Sequence, residues 1–111
     1  MNLKIEEQAK ATVIQVKEER MDAHNSDALK SELAKLFDAG KSLVVVDMKE
    51  VRFIDSSGLG ALVSGFKNAS SRQASLKLSG LQSQVKSMFE LTRLHRVFDI
   101  YSTVDEALDS L

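Results

Sequence analysis

Apolar residues recur along the chain with two spacings, every second residue or every three to four, and the switches between them mark its elements. Leu3 and Ile5 alternate with polar neighbours, and Ala11-Thr12-Val13-Ile14-Gln15-Val16 is a second, more apolar stretch, so two strands open the chain. A hairpin around Gln8 to Lys10 joins them, without the Gly or Asn signal that fixes a tight turn. Leu29, Leu33, Leu36 and Phe37 then fall at i, i+4, i+7 and i+8, one face of a helix with Asn25 or Ser26 as cap and Gly40 as stop.

Leu43-Val44-Val45-Val46, followed by Asp47 and Met48, is short and β-branched between two helices, which predicts a central strand covered on both faces. Past a block reading FIDSSG, Leu59, Leu62, Val63 and Phe66 repeat with helical spacing and predict a helix of roughly three turns. Ser75 to Ser79 alternates with period two and ends at Gly80. SQVKSMFELT places Val85, Met88 and Phe89 on one helical face, with Phe89 expected in the core. Val97 to Tyr101 reads as a last strand, and Thr103 to Glu106 as a capping box ahead of Ala107, Leu108 and Leu111. The order predicts an α/β fold: a small mixed sheet of about five strands, the later ones parallel, with about four helices packed against it. With no proline and five glycines there is no flexible linker, so the 111 residues read as one domain over 1–111.

Charge and composition narrow the function. Fifteen basic residues against sixteen acidic ones leave a formal charge of -1, so the overall field draws the chain neither to nucleic acid nor to anionic lipid. The absence of cysteine excludes disulfides, thiolate catalysis and thiolate-bound metal. No apolar run has the length of a secretory signal or a membrane span, so a cytoplasmic protein is expected. Without a coiled-coil repeat the free chain is expected to be a monomer.

The candidate chemistry lies in Asp55-Ser56-Ser57-Gly58, at the carboxyl end of a strand, where open α/β sheets carry their sites. Four roles fit a serine there. As a cap it accepts from backbone N–H groups one turn on, and Gly58 and Gly60 then serve close packing of helix on sheet. As a nucleophile it needs G-x-S-x-G and a general base, but Asp55 stands in place of the first glycine and only His24 and His95 are on offer. As a nucleotide site, Gly58-Leu59-Gly60 lacks the third glycine of the dinucleotide fingerprint, and Asp22, His24 and Asp55 form no convincing metal set. As a phosphate acceptor it sits at a helix amino end, where unpaired N–H groups tolerate a dianion while the added charge and bulk repel a fitted partner.

The chain resembles the family of STAS domains, and most closely the bacterial anti-sigma factor antagonists. The resemblance covers essentially the whole chain: Val13 to Val16, the Met21-Asp22 pair with its following helix, LVVVDM, VRFIDSSGLGALV and LTRLHRVFDIYSTVDEAL. It implies that Ser56 is phosphorylated by a partner anti-sigma serine kinase with a histidine-kinase-like ATPase fold. The unphosphorylated form binds that kinase and releases its sigma factor, and a separate serine phosphatase restores the hydroxyl. The chain itself is then no enzyme and needs no cofactor; ATP belongs to the kinase. Against the family's Gly-Glu-Leu-Asp before the first helix, Glu19 replaces the glycine, Arg20 the glutamate, and Asn25 takes the usual threonine position, which implies a changed partner preference. Alternatives are a partner-switching regulator of a secretion system, cyclase or signalling assembly, or an accessory subunit of a transport complex.

The expected partner-binding residues are Asp22, Asn25, Asp55, Ser56, Ser57 and Leu59. Asp55 is an acceptor beside Ser56 or the end of the strand, favouring the helix start. Ser57 is the expected cap, Asp22 and Asn25 edge the same surface or serve as turn and cap residues, and Leu59 is either core or a partly exposed apolar contact.

Overall fold

The computed structural model describes residues 1–110; Leu111, assigned above to the last helix, lies outside the described residues. The expected hairpin joins β1 (Leu3–Glu7) to β2 (Thr12–Val16), antiparallel, closed by Gln8 N–H donating to the Ala11 carbonyl at 2.8 Å. β4 (Leu43–Asp47), β6 (Ser75–Ser79) and β7 (Asp99–Tyr101) complete a five-stranded sheet in the order β1-β2-β4-β6-β7, all parallel from β2 onward. Four helices surround it: α1 (Ser26–Asp38), α2 (Ser56–Ser71), α3 (Ser83–Leu91) and α4 (Val104–Asp109).

Side-chain alternation along the strands divides the core in two. Ile14, Val16, Val44, Val46, Leu76 and Leu78 point to the face that α1, α2 and α3 cover with Leu29, Leu33, Leu62 and Phe89. Val13, Leu43 and Val45 point to the other face, which α4 closes with Ala107. β4 is buried throughout because both faces are covered, as its unbroken apolar run predicts. Each large side chain so buried contributes roughly 1.5–3 kcal/mol.

α1 ends where its glycine says it should. Gly40 takes φ +87°, and the Gly40 and Lys41 N–H groups donate to the carbonyls of Phe37 and Leu36 at 3.0 and 3.1 Å, a Schellman stop.

Some expectations change. β7 begins at Asp99 rather than Val97, because Arg93 turns the chain at φ +62° into a 3-10 helix over Leu94–Arg96 and Val97 is left exposed. α2 runs for 16 residues rather than about three turns. β6, with the alternation of a half-exposed strand, is buried from Leu76 to Ser79, since α4 covers its second face. Lys77 is buried there with its ammonium 3.0 Å from Ser110 Oγ, 3.3 Å from the Tyr101 hydroxyl and 3.7 Å from Asp99. A second ladder, absent from the sequence reading, joins β3 (Arg20–Met21) to β5 (Phe53–Ile54) in parallel. It carries the site.

Candidate functional site

Two residues of pairing are enough to seat the serine block. Arg20 and Met21 lie beside Phe53 and Ile54, and the ladder continues as Asp55 N–H donates to the Met21 carbonyl at 3.1 Å. Before it, the Arg52 and Phe53 N–H groups both donate to the Glu19 carbonyl, at 2.7 and 3.0 Å. The chain thus enters α2 with its backbone held on one side from Arg52 to Asp55.

Asp55 has extended backbone angles and starts α2: its Oδ1 accepts from Gly58 N–H at 3.0 Å and its carbonyl from Leu59 N–H at 3.0 Å. The cap is therefore Asp55 and not Ser57, which is the second residue of the helix and half-buried. A carboxylate suits this place because it also meets the positive end of the helix dipole. The choice leaves both serines outside the capping bond. Ser56 is exposed at the first helical position, and its hydroxyl makes no hydrogen bond among the described residues.

The glycines divide in role. A Cβ on Gly58 would lie 2.7 Å from Ile54 Cγ1 and 2.7 Å from the Met21 carbonyl oxygen, so close approach of α2 to the β3–β5 ladder depends on its absence. Gly60 is exposed with nothing within 4 Å of its added Cβ, and the packing role expected of it falls away.

Leu59, left between core and contact, belongs to the core at 6% exposure. Asn25 stands at the start of α1, but neither its side chain nor that of Ser26 caps the helix. Asn25 Oδ1 accepts from Asp22 N–H at 3.0 Å and its amide donates to the Arg20 carbonyl at 2.8 Å, folding the loop onto β3; Ser26 is buried as the first helical residue. Asp22 is half-buried, accepts from His24 N–H at 3.0 Å, and lies 3.6 Å from Arg20 Nε. The ladder sets Asp22 beside Asp55, so the two loops share one end of the molecule.

Two open grooves flank the serines. Ser56 lies on one of about 360 Å³ between β5 and α3, walled by Phe53, Ile54 and Met88. Ser57 lies on another, of about 440 Å³, between α1 and α2, with Asp27, Lys30 and Gly60. Phe53 was not singled out from the sequence, yet it is 40% exposed with the Arg20 guanidinium 4.2 Å from its ring centroid. Its signal was alternation: Ile54 faces the core, so its neighbour in an extended strand faces out. His95 turns its ring to the Phe89 carbonyl at 3.3 Å.

Known proteins give this geometry its context. The model of the STAS domain family matches residues 2–107. An anti-sigma-B factor antagonist of Bacillus subtilis is 31% identical over 101 residues, covering 90% of this chain and 92% of that protein. Among solved structures, an anti-sigma factor antagonist from Mycobacterium paratuberculosis superposes with a TM-score of 0.88 at 21% identity, over 98% of this chain and 92% of that one. The antagonist SpoIIAA matches in its unphosphorylated form with a TM-score of 0.82 and, from Bacillus, in its phosphorylated form with 0.76, both at 17% identity. These two cover 98% of this chain, and 95% and 98% of theirs. With a relative of that identity along nearly its whole length and the family's match from end to end of its sheet, the chain belongs to the STAS domain family, among its anti-sigma factor antagonists.

Proposed function

We propose that this antagonist is a partner switch whose state is written on Ser56. Unphosphorylated, the surface around Ser56 binds an anti-sigma serine kinase and so releases the sigma factor that the kinase holds. The kinase transfers the γ-phosphoryl group of ATP to Ser56 Oγ, releasing ADP and the hydroxyl proton. A serine phosphatase reverses the state by adding water at phosphorus, which restores the hydroxyl and releases inorganic phosphate. The free protein acts as a monomer.

One observation carries the reading: Asp55 caps α2, and Ser56 is left exposed beside it, its hydroxyl without a hydrogen bond among the described residues. A phosphate there brings a charge of about -1.5 to -2 to the amino end of a four-turn helix, whose dipole tolerates it without rearranging the fold. The same charge changes what a partner meets. Two structures of SpoIIAA, one in each phosphorylation state, both match this fold, which supports a switch that acts at the surface. Asp22 and Asp55 border the surface, with Ser57 on its far side; Leu59 contributes by holding α2 in place.

The test is to incubate the protein with anti-sigma kinases encoded by the same organism and ATP, then locate the phosphate by mass spectrometry. Phosphate is expected on Ser56. Ser56→Ala should bind the kinase and refuse phosphate, and Ser56→Glu should bind more weakly. Phosphate on Ser57 alone, or undiminished binding by Ser56→Glu, contradicts the assignment.

A further inference from the structure

We propose that the open edge of β1 pairs with β1 of a second copy of the chain, antiparallel about a two-fold axis at Ile5. The pairing is independent of the serine switch and takes no residue from the serine block.

The backbone supplies the first observation. β1 stands at one end of the sheet order with β2 as its only hydrogen-bonded neighbour. Hydrogen-bonded pairs recur at every second residue of an antiparallel ladder. Here Lys17 N–H donates to the Asn2 carbonyl at 2.9 Å and Gln8 N–H to the Ala11 carbonyl at 2.8 Å, both in the register that sets Leu3 opposite Val16 and Glu7 opposite Thr12. Lys4 and Glu6 therefore turn their backbone groups to β2, while Leu3, Ile5 and Glu7 turn theirs outward. The edge is a row of donors and acceptors ready for another strand.

The side chains say which strand. Lys4 and Glu6 flank Ile5, all three are exposed, and neither charge takes part in an ion pair among the described residues. With Ile5 of one copy opposite Ile5 of the other, Lys4 of each copy faces Glu6 of its mate. The outward-turned residues form the hydrogen-bonded pairs, so Lys4 and Glu6 fall at the alternate positions, where facing side chains come closest. Ile5, 41% exposed in the single chain, is covered by its counterpart, with Leu3 of the second copy diagonal to it. Glu7, which faces Leu3 of the second copy, is already held by Lys41 and Thr12.

The same charges reject other registers. A slip of one residue puts the side chains on the wrong faces of the joined sheet. A slip of two brings Lys4 opposite Lys4 or Glu6 opposite Glu6, and like charges directly opposite repel. The other open edge, β7, reads Asp99-Ile100-Tyr101 and has no such reciprocity. A five-residue strand makes a small interface, so the chain is a monomer when dilute and pairs as it is concentrated.

The test is sedimentation equilibrium and NMR of the full chain from about 10 μM to 1 mM, a range that brackets a weak contact. Mass should rise toward the dimer, with concentration-dependent amide shifts centred on Leu3 to Glu7, and added salt should reverse both. Lys4→Glu and Glu6→Lys should each weaken pairing at least about tenfold, since either change sets like charges opposite at both positions. An equimolar mixture of the two variants should pair again, as should the chain carrying both changes, because opposite charges then face each other once more. The mixture also separates lost pairing from lost folding, since only folded chains with complementary edges recover the dimer. A monomer at about 1 mM, shifts centred away from β1, single variants that pair as well as the parent, or a mixture that stays monomeric overturns the proposal.

Discussion

Asp55 donates its backbone N–H to the carbonyl of Met21 at 3.1 Å, so the residue that caps α2 is held by the strand that precedes α1. The two are separated in sequence by all of α1 and β4. Their contact brings the loop before α1 and the serine block to one end of the sheet, and it gives Ser56 a fixed platform rather than a mobile loop. The same Met21 carbonyl lies where a side chain at position 58 would have to go.

Gly58→Ala should therefore destabilise the protein even though alanine is the better helix former. The added methyl would meet the Met21 carbonyl oxygen and Ile54 Cγ1, both at 2.7 Å, and a backbone oxygen cannot rotate away. A net loss of about 1–3 kcal/mol is expected from overpacking. Chemical denaturation measures it, and unchanged stability would show that α2 can move off the ladder freely. Gly60→Ala, with open space around its Cβ, should be neutral or stabilising by up to about 1 kcal/mol.

Asp55→Ala should lose the cap of α2 and cost about 1 kcal/mol. Ser57→Ala, at a position that makes no capping bond, should change stability by no more than about 0.5 kcal/mol. The pair of denaturation curves decides which residue caps. A larger loss from Ser57→Ala than from Asp55→Ala contradicts the assignment.

The two phenylalanines should respond oppositely. Phe89 is fully buried and meets the Phe98 ring edge to face at 5.7 Å, so Phe89→Ala should cost about 3–5 kcal/mol. Phe53→Ala loses its stack with Arg20 and should cost about 1 kcal/mol or less. Thermal melts check both. A severe loss from Phe53→Ala would mean that this exposed ring helps to hold the fold together.

Glu7 should titrate below the usual 4.5 of a glutamate, chiefly because Lys41 Nζ donates to its Oε2 at 3.1 Å; burial opposes this slightly and Thr12 adds a further hydrogen bond. A carboxyl with a depressed folded value stabilises the fold fully above its unfolded value. That contribution is lost as pH falls through the lower, folded one. Lys41→Met should move the Glu7 inflection in a carboxyl-carbon NMR titration up toward 4.5. No movement would mean that Lys41 is not the cause.

The main elements were legible because their signals are local. Leu29, Leu33, Leu36 and Phe37 mark one helical face, Gly40 supplies the backbone angle that stops it, and the run Leu43 to Val46 can be satisfied only with cover on both faces. The hairpin, the central strand and the four helices follow from periods that any window of the chain displays. The serine block was legible as the start of a helix and by its resemblance to the STAS family, but the strand that delivers it is β5 of the second ladder and not the central run Leu43 to Val46.

What the sequence could not decide depends on contacts between distant segments. Nothing in Arg20-Met21 or Phe53-Ile54 marks them as partners, because two residues are too few to show a period and their pairing is selected by the closure of α1 and α2 over the sheet. The capping residue followed from that closure. Asp55 and Ser57 are both good caps by type, and only the direction in which the β3–β5 ladder delivers the chain gives Asp55 the extended backbone from which its carboxylate reaches Gly58 N–H. Whether Leu59 lies inside and Phe53 outside was likewise a matter of which faces the ladder and α2 turn to the core, since hydrophobicity ranks both residues alike and burial is a property of the packed structure.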